Sequence, residues 1–175
     1  MTPRPEPAVA LAWARVPTAA ARREAAWRLV RELAGADAAI ANPCPRCGGP
    51  HGPVVLAGDE RRVSVAYSGD LAVAALAAPP VVALGIDAEP ADRDVTGLGF
   101  GTGPATAATV RDWVRAEAVL KADGRGLRVD PAAVGVRVAG DGRMLARVGA
   151  DGEEYRVLDL AGPDGHVVSA ALLVR

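Results

Sequence analysis

Apolar positions along the chain change their spacing from strand-like to helix-like and back, twice. Val9 to Trp13 reads as a short strand, and Thr18 sits where a helix N-cap belongs. Ala21, Ala25, Leu29 and Leu33 then recur every four residues, with Arg22, Arg23, Glu24, Arg28, Arg31 and Glu32 at the polar positions. That spacing predicts a helix ending near Gly35. A Pro/Gly-rich turn follows, then short apolar runs at Val54–Leu56, Val63–Ala66, Leu71–Ala77 and Val81–Ile86, the last two separated by Pro79-Pro80. Residues 90–104 are rich in Gly, Thr and Asp and read as a loop. Pro104 is placed to start a second long helix through Trp113, Glu117 and Lys121 to about Gly124. Four further strands are expected at Val134–Val138, Met144–Val148, Tyr155–Leu160 and Val167–Val174.

Each half is therefore a helix followed by several strands, an α+β pattern. The halves also end alike: Gly69-Asp70-Leu71-Ala72-Val73-Ala74-Ala75-Leu76 parallels Gly165-His166-Val167-Val168-Ser169-Ala170-Ala171-Leu172. Short segments rich in Ala and Val also match by chance, but the parallel is consistent with two similar lobes, residues 1–84 and 85–175, and a site in the cleft between them.

Composition narrows the chemistry. Half of the 175 residues are apolar but only 3% are aromatic, so the core must be built from Ala, Val and Leu with three tryptophans as large fillers. A net charge of −1 argues against a nucleic-acid binder, which usually carries a basic face. No apolar run reaches bilayer length, and residues 1–7 lack the features of a signal peptide, so a cytoplasmic protein without membrane contact is expected. Cys44 and Cys47 form one Cys-x-x-Cys. With His51 they supply at most three metal ligands where a structural zinc site normally needs four, which favours a Gly/Pro-shaped turn with reduced thiols. His51 and His166 both sit in turn contexts, and neither a Ser/His/Asp set nor a nucleophile elbow is present.

The candidate chemistry is acidic and cationic. Val81 to Pro90 is an apolar strand closed by Asp87 and Glu89, which alternation puts on one face. Two such carboxylates repel unless a cation bridges them, and Mg²⁺ favours these oxygen ligands together with phosphate oxygens; the alternative is a solvated strand end. Of 20 basic residues 19 are arginine. The single lysine, Lys121, follows Glu117 by four positions, so the two share a helix face. Either this is an exposed ion pair, or Glu117 adds a third carboxylate to the metal and Lys121 reaches a phosphate held there.

These residues resemble the 4′-phosphopantetheinyl transferases, specifically the larger, monomeric, two-lobed type. Gly85-Ile86-Asp87-Ala88-Glu89 is similar to the family's Gly-Ile-Asp-x-Glu, and Trp113 to Lys121 to its Trp-x-x-Lys-Glu-Ala-x-x-Lys, with Gly124-Arg125-Gly126-Leu127 following. Val63 to Gly69 is similar to a family strand ending Ser-His-Ser-Gly, and His51-Gly52-Pro53 to the turn that approaches adenine. The resemblance implies a pseudo-twofold α+β pair of lobes, each a long helix on a small, mainly antiparallel sheet. It also implies that Mg²⁺ bridges Asp87, Glu89 and Glu117 to the diphosphate of coenzyme A, while a serine of an acyl or peptidyl carrier protein attacks the β-phosphorus. Glu117 would help take the serine proton, Lys121 would assist departure of 3′,5′-ADP, and Arg22, His51, Gly52, Tyr67 and Ser68 would contact the coenzyme. For Arg22 a solvated helix arginine is the alternative.

The chain departs from that pattern in four places. Tyr67 stands for the histidine, Ala116 for the first lysine of the helix motif with Arg115 beside it, and basic residues before the first helix and before Pro53 are sparse, Arg15 being the nearest. The connection after Pro90 is short and has no glutamate before Glu117. An alternative function follows: a divergent member without transferase activity that binds a carrier protein or coenzyme A, or one recruited to other carrier-linked chemistry.

Overall fold

The computed structural model describes residues 8–96 and 109–175. Strand β1 (Val9–Arg15) leads through a 3₁₀ turn (Ala19–Ala21) into helix α1 (Arg22–Ala34). Thr18 caps the turn rather than the helix itself, its Oγ1 accepting from the Ala21 N–H at 3.3 Å. Gly35 ends α1 with φ 113°, a value that favours glycine. Two short strands, β2 (Ile40–Ala41) and β3 (Val55–Leu56), pair with each other, and β2 had no counterpart in the sequence pattern. Strands β4 (Arg62–Ser68), β5 (Leu71–Ala77) and β6 (Val81–Pro90) follow. Helix α2 (Val110–Asp123) then precedes β7 (Val134–Val138), β8 (Met144–Val148), β9 (Glu154–Leu160) and β10 (His166–Val174).

Among the described residues, two larger antiparallel sheets stand beside the β2-β3 pair. The smaller has the order β1-β5-β4 and the larger β6-β10-β9-β8-β7. The alternation of β5 explains why every one of its residues is buried. Ala72, Ala74 and Leu76 face the Ala25, Ala26, Leu29 and Val30 stripe of α1, while Leu71, Val73, Ala75 and Ala77 face the larger sheet. That sheet answers with Leu84, Ile86 and Ala88 from β6 and Val168, Ala170 and Leu172 from β10. Its other side packs Ala146, Tyr155, Val157 and Ala171 against Ala116, Val119 and Leu120 of α2. The order of layers is therefore helix, sheet, sheet, helix, and the small core residues expected from composition let the layers approach closely.

Among the described residues the fold is thus α+β with two α-helices and antiparallel sheets. The chain passes from one sheet to the other at the Ala78–Pro80 turn, and the boundary expected between residues 84 and 85 lies inside β6. The expected start of the second helix at Pro104 lies outside the described residues. Within them, Thr109 is the N-cap of α2 and forms a capping box with Asp112. No described helix is long and apolar enough to cross a membrane.

Candidate functional site

Strand β6 and helix α2 meet at Gly85. A Cβ there would lie 2.0 Å from the Ala118 carbonyl oxygen and 2.5 Å from the Ala122 nitrogen, both backbone atoms. Only glycine lets the helix lie this low on the strand. The contact brings Glu117 and Lys121, one turn apart on α2, over the β6 positions that follow Gly85 on the same side.

Asp87 is 6% and Glu117 8% exposed, an unusual depth for two carboxylates. Lys121 Nζ donates to Asp87 Oδ1 at 2.7 Å and to the Ile86 carbonyl oxygen at 3.0 Å. Asp87 Oδ2 is buried without a hydrogen-bond partner. Burial pushes the Asp87 carboxyl above the usual carboxylate range, and the Lys121 ammonium offsets this only in part. Glu117 is also pushed up, first by burial and then by the negative charge of Asp87, against smaller opposing effects of Lys121 and Arg93. Among the described residues its carboxylate has no hydrogen bond. Two buried carboxyl groups thus lie near one ammonium, which is bound to Asp87, and Asp87 Oδ2 is orphaned.

Glu89 shares the strand face but is engaged elsewhere. Its carboxylate accepts from Arg93 and, at 3.3 Å, from the Ser68 hydroxyl. The three expected metal ligands are therefore not drawn into one tight cluster: Asp87 and Glu117 influence each other electrostatically, and Glu89 is held by its own partners. Arg93, which the sequence reading did not single out, also stacks 5.7 Å from the Trp113 ring. Its only sequence signal is the spacing of four residues from Glu89 across the Pro90-Ala91-Asp92 turn.

The remaining expected residues fall in two places. Ser68 is buried, whereas Tyr67 is exposed, with the Arg22 guanidinium 5.9 Å from its ring. Arg22 also donates to the Gly69 carbonyl oxygen at 3.1 Å, so it bridges α1 to the β4–β5 turn. Arg15 pairs with Asp70 at 2.9 Å on the surface. Arg115 is bound to Asp159 at 2.6 Å and also to Asp112, so its guanidinium is committed to joining α2 to β9 rather than compensating for Ala116.

His51 and Gly52 lie apart from the carboxylates, on a cleft of about 600 Å³ between the turn at 44–53 and the Gly124–Gly126 segment that follows α2. Gly52 is fixed there by necessity: a Cβ would meet the Pro43 carbonyl oxygen at 2.0 Å. The turn also brings the Cys44, Cys47 and His51 donor atoms within 4.8 Å of one another. Both thiols are free in this Gly/Pro-shaped turn, which gathers all three side chains. Backbone N–H groups of Arg46 and Cys47 lower the Cys44 thiol to about 7.

No protein-family model matches this chain, and a search of the curated proteins finds no match either.

Proposed function

We propose that this protein is a Mg²⁺-dependent 4′-phosphopantetheinyl transferase acting on an acyl or peptidyl carrier protein, as a monomer in the cytoplasm. The observation that carries the reading is the buried pair Asp87 and Glu117, with an orphaned oxygen on Asp87 and the ammonium of the chain's only lysine on its other oxygen. A divalent cation relieves both the orphan and the repulsion, and an all-oxygen donor set suits Mg²⁺. Asp87 and Glu117 would hold it, with Glu89 beside them on the same strand face. When bound, the ion neutralises charge on diphosphate oxygens of coenzyme A.

The chain's own groups supply the rest. A carrier serine Oγ forms the new bond to the β-phosphorus, and the bond from that phosphorus to the bridging oxygen of 3′,5′-ADP breaks. Glu117, whose proton affinity is raised, suits acceptance of the serine proton. Lys121 is oriented by the Ile86 carbonyl and Asp87, and its ammonium stabilises the departing oxygen. His51 and Gly52 on the cleft, and Arg22, Tyr67 and Ser68 around the β4–β5 turn, are the proposed coenzyme contacts. The seating of α1 on β5 and of α2 beside β10, the two strands whose sequences resemble each other, supports the two-lobed arrangement.

Glu117→Ala and Lys121→Ala should each lower the release of 3′,5′-ADP in the presence of an apo carrier protein by ~10²–10³-fold, with the far-ultraviolet circular dichroism unchanged. Near-normal release by both variants would refute the assigned roles. A second reading, a carrier-protein or coenzyme binder without turnover, draws on the pairing of Glu89 with Arg93 and on Ala116. Calorimetry separates the two: that reading requires tight binding of an apo carrier protein or of coenzyme A with no 3′,5′-ADP formed.

A further inference from the structure

A second group of ligand-type side chains lies away from the carboxylates, on the turn between β2 and β3. The turn is held by its own backbone. Cys44 N–H donates to the Gly49 oxygen at 2.8 Å, Gly48 N–H to the Cys44 oxygen at 2.8 Å, and His51 N–H to the Gly49 oxygen at 2.9 Å. Gly48 has φ +73°, in the left-handed region, and a Cβ on Gly49 would sit 3.2 Å from the His51 ring and 3.4 Å from Cys47 Sγ. From outside, Asn42 Nδ2 and Arg23 Nη2 both donate to the Pro50 oxygen, at 2.8 and 3.2 Å. The result is a loop in which residues 44, 47 and 51 are brought to one side.

One donor pair already has the spacing of metal ligands. Cys47 Sγ and His51 Nε2 are 3.4 Å apart. A thiolate at ~2.3 Å and an imidazole nitrogen at ~2.0–2.1 Å from a tetrahedral zinc lie ~3.5 Å from each other. Cys44 completes a set whose donor atoms all fall within 4.8 Å, and neither thiol is spent in a disulfide. Sulfur and imidazole select zinc over magnesium, so this site and the carboxylate pair differ in the ion they take.

We infer that Cys44, Cys47 and His51 bind one Zn²⁺ ion, with solvent as the fourth ligand on the side of the cleft that the turn shares with Arg46, Arg125 and Arg128. Three protein ligands and one exchangeable position form a complete tetrahedral site, so a second Cys/His pair is not required. The inference does not rest on the transferase reading.

The test uses the reduced, metal-free 175-residue chain titrated with Zn²⁺ against a competing chelator. One equivalent binds, and Cys44→Ser, Cys47→Ser and His51→Ala each weaken it by at least ~100-fold, beyond what loss of an outer hydrogen-bond partner brings. Co²⁺ in place of Zn²⁺ gives the visible absorption of a tetrahedral site and a thiolate-to-metal charge-transfer band, and the band falls in Cys47→Ser. Asp87→Asn leaves zinc affinity unchanged, which separates this site from the carboxylate pair. Absence of stoichiometric uptake by the reduced wild-type protein, or uptake unaffected by the combined Cys44→Ser and Cys47→Ser change, overturns the inference.

Discussion

Glu117 is held in a place that costs stability. Its carboxylate is buried against Asp87 while Lys121 is bound to Asp87, so its ionised form is disfavoured. The sign of the pH effect follows from a folded pKa raised above the unfolded one. The penalty is complete above the folded pKa and is relieved as pH falls through it toward the usual carboxylate value. Glu117→Gln should therefore stabilise the metal-free protein near neutral pH by about 0.5–2 kcal/mol. At ~2–4 °C per kcal/mol this is a rise in Tm measurable by calorimetry, and the advantage should shrink on acidification. A lower Tm for Glu117→Gln at neutral pH would show that the carboxylate is satisfied. At this scale the sequence was informative where a residue type was rare: a lone lysine four positions from a glutamate, and two acids on one strand face. It was silent on Arg93, because the pairing with Glu89 depends on how the chain turns after β6. It was also silent on how closely the Cys44, Cys47 and His51 donor atoms gather, because that depends on the turn's backbone geometry.

Among the elements, the contact between β6 and α2 sets the geometry of the site. Gly85→Ala would place a methyl group against the Ala118 oxygen and the Ala122 nitrogen, backbone atoms that cannot rotate away. The helix must then lift from the strand, and a loss of about 1–3 kcal/mol is expected, as for other overpacked contacts. The proposed transfer activity should fall with it, since Glu117 and Lys121 ride on α2. An unchanged Tm and rate would show that the two elements are free to separate. Most elements were legible because their apolar spacing matches their burial, as in Ala25, Leu29 and Val30 of α1. The apolar run of β6 stops at Ile86, and the strand continues to Pro90, as its two terminal acids suggested, because His166–Val174 carries the antiparallel ladder through Asp87 and Glu89. Strand β2, two residues long, leaves no periodicity to read.

Over the whole molecule, the two sheets share one apolar interior and the helices lie outside them, so the candidate site on β6 and α2 is backed by the inner core. Ser64 adds a polar tie between the sheets, its Oγ accepting from the Ile86 N–H at 3.0 Å. With such a backing Asp87 should stay fixed whether or not a cation is present, and binding should appear as stabilisation of the folded state alone. At about 100 times its Kd, Mg²⁺ should add ~2.7 kcal/mol to wild-type stability and nothing to Glu117→Gln; equal shifts in both proteins would place the ion elsewhere. The order of the layers was not written in the sequence. Two similar segments, at residues 69–76 and 165–172, suggested related halves, but which faces meet is decided by the burial of both sides of β5.

The most direct measurement is intact-protein mass spectrometry of apo carrier proteins incubated with this protein, coenzyme A and Mg²⁺. The account predicts a mass gain of one phosphopantetheine arm on a carrier, abolished by EDTA and by Glu117→Gln. No gain on any of a broad panel of carriers, with the protein folded and Mg²⁺ present, would contradict it.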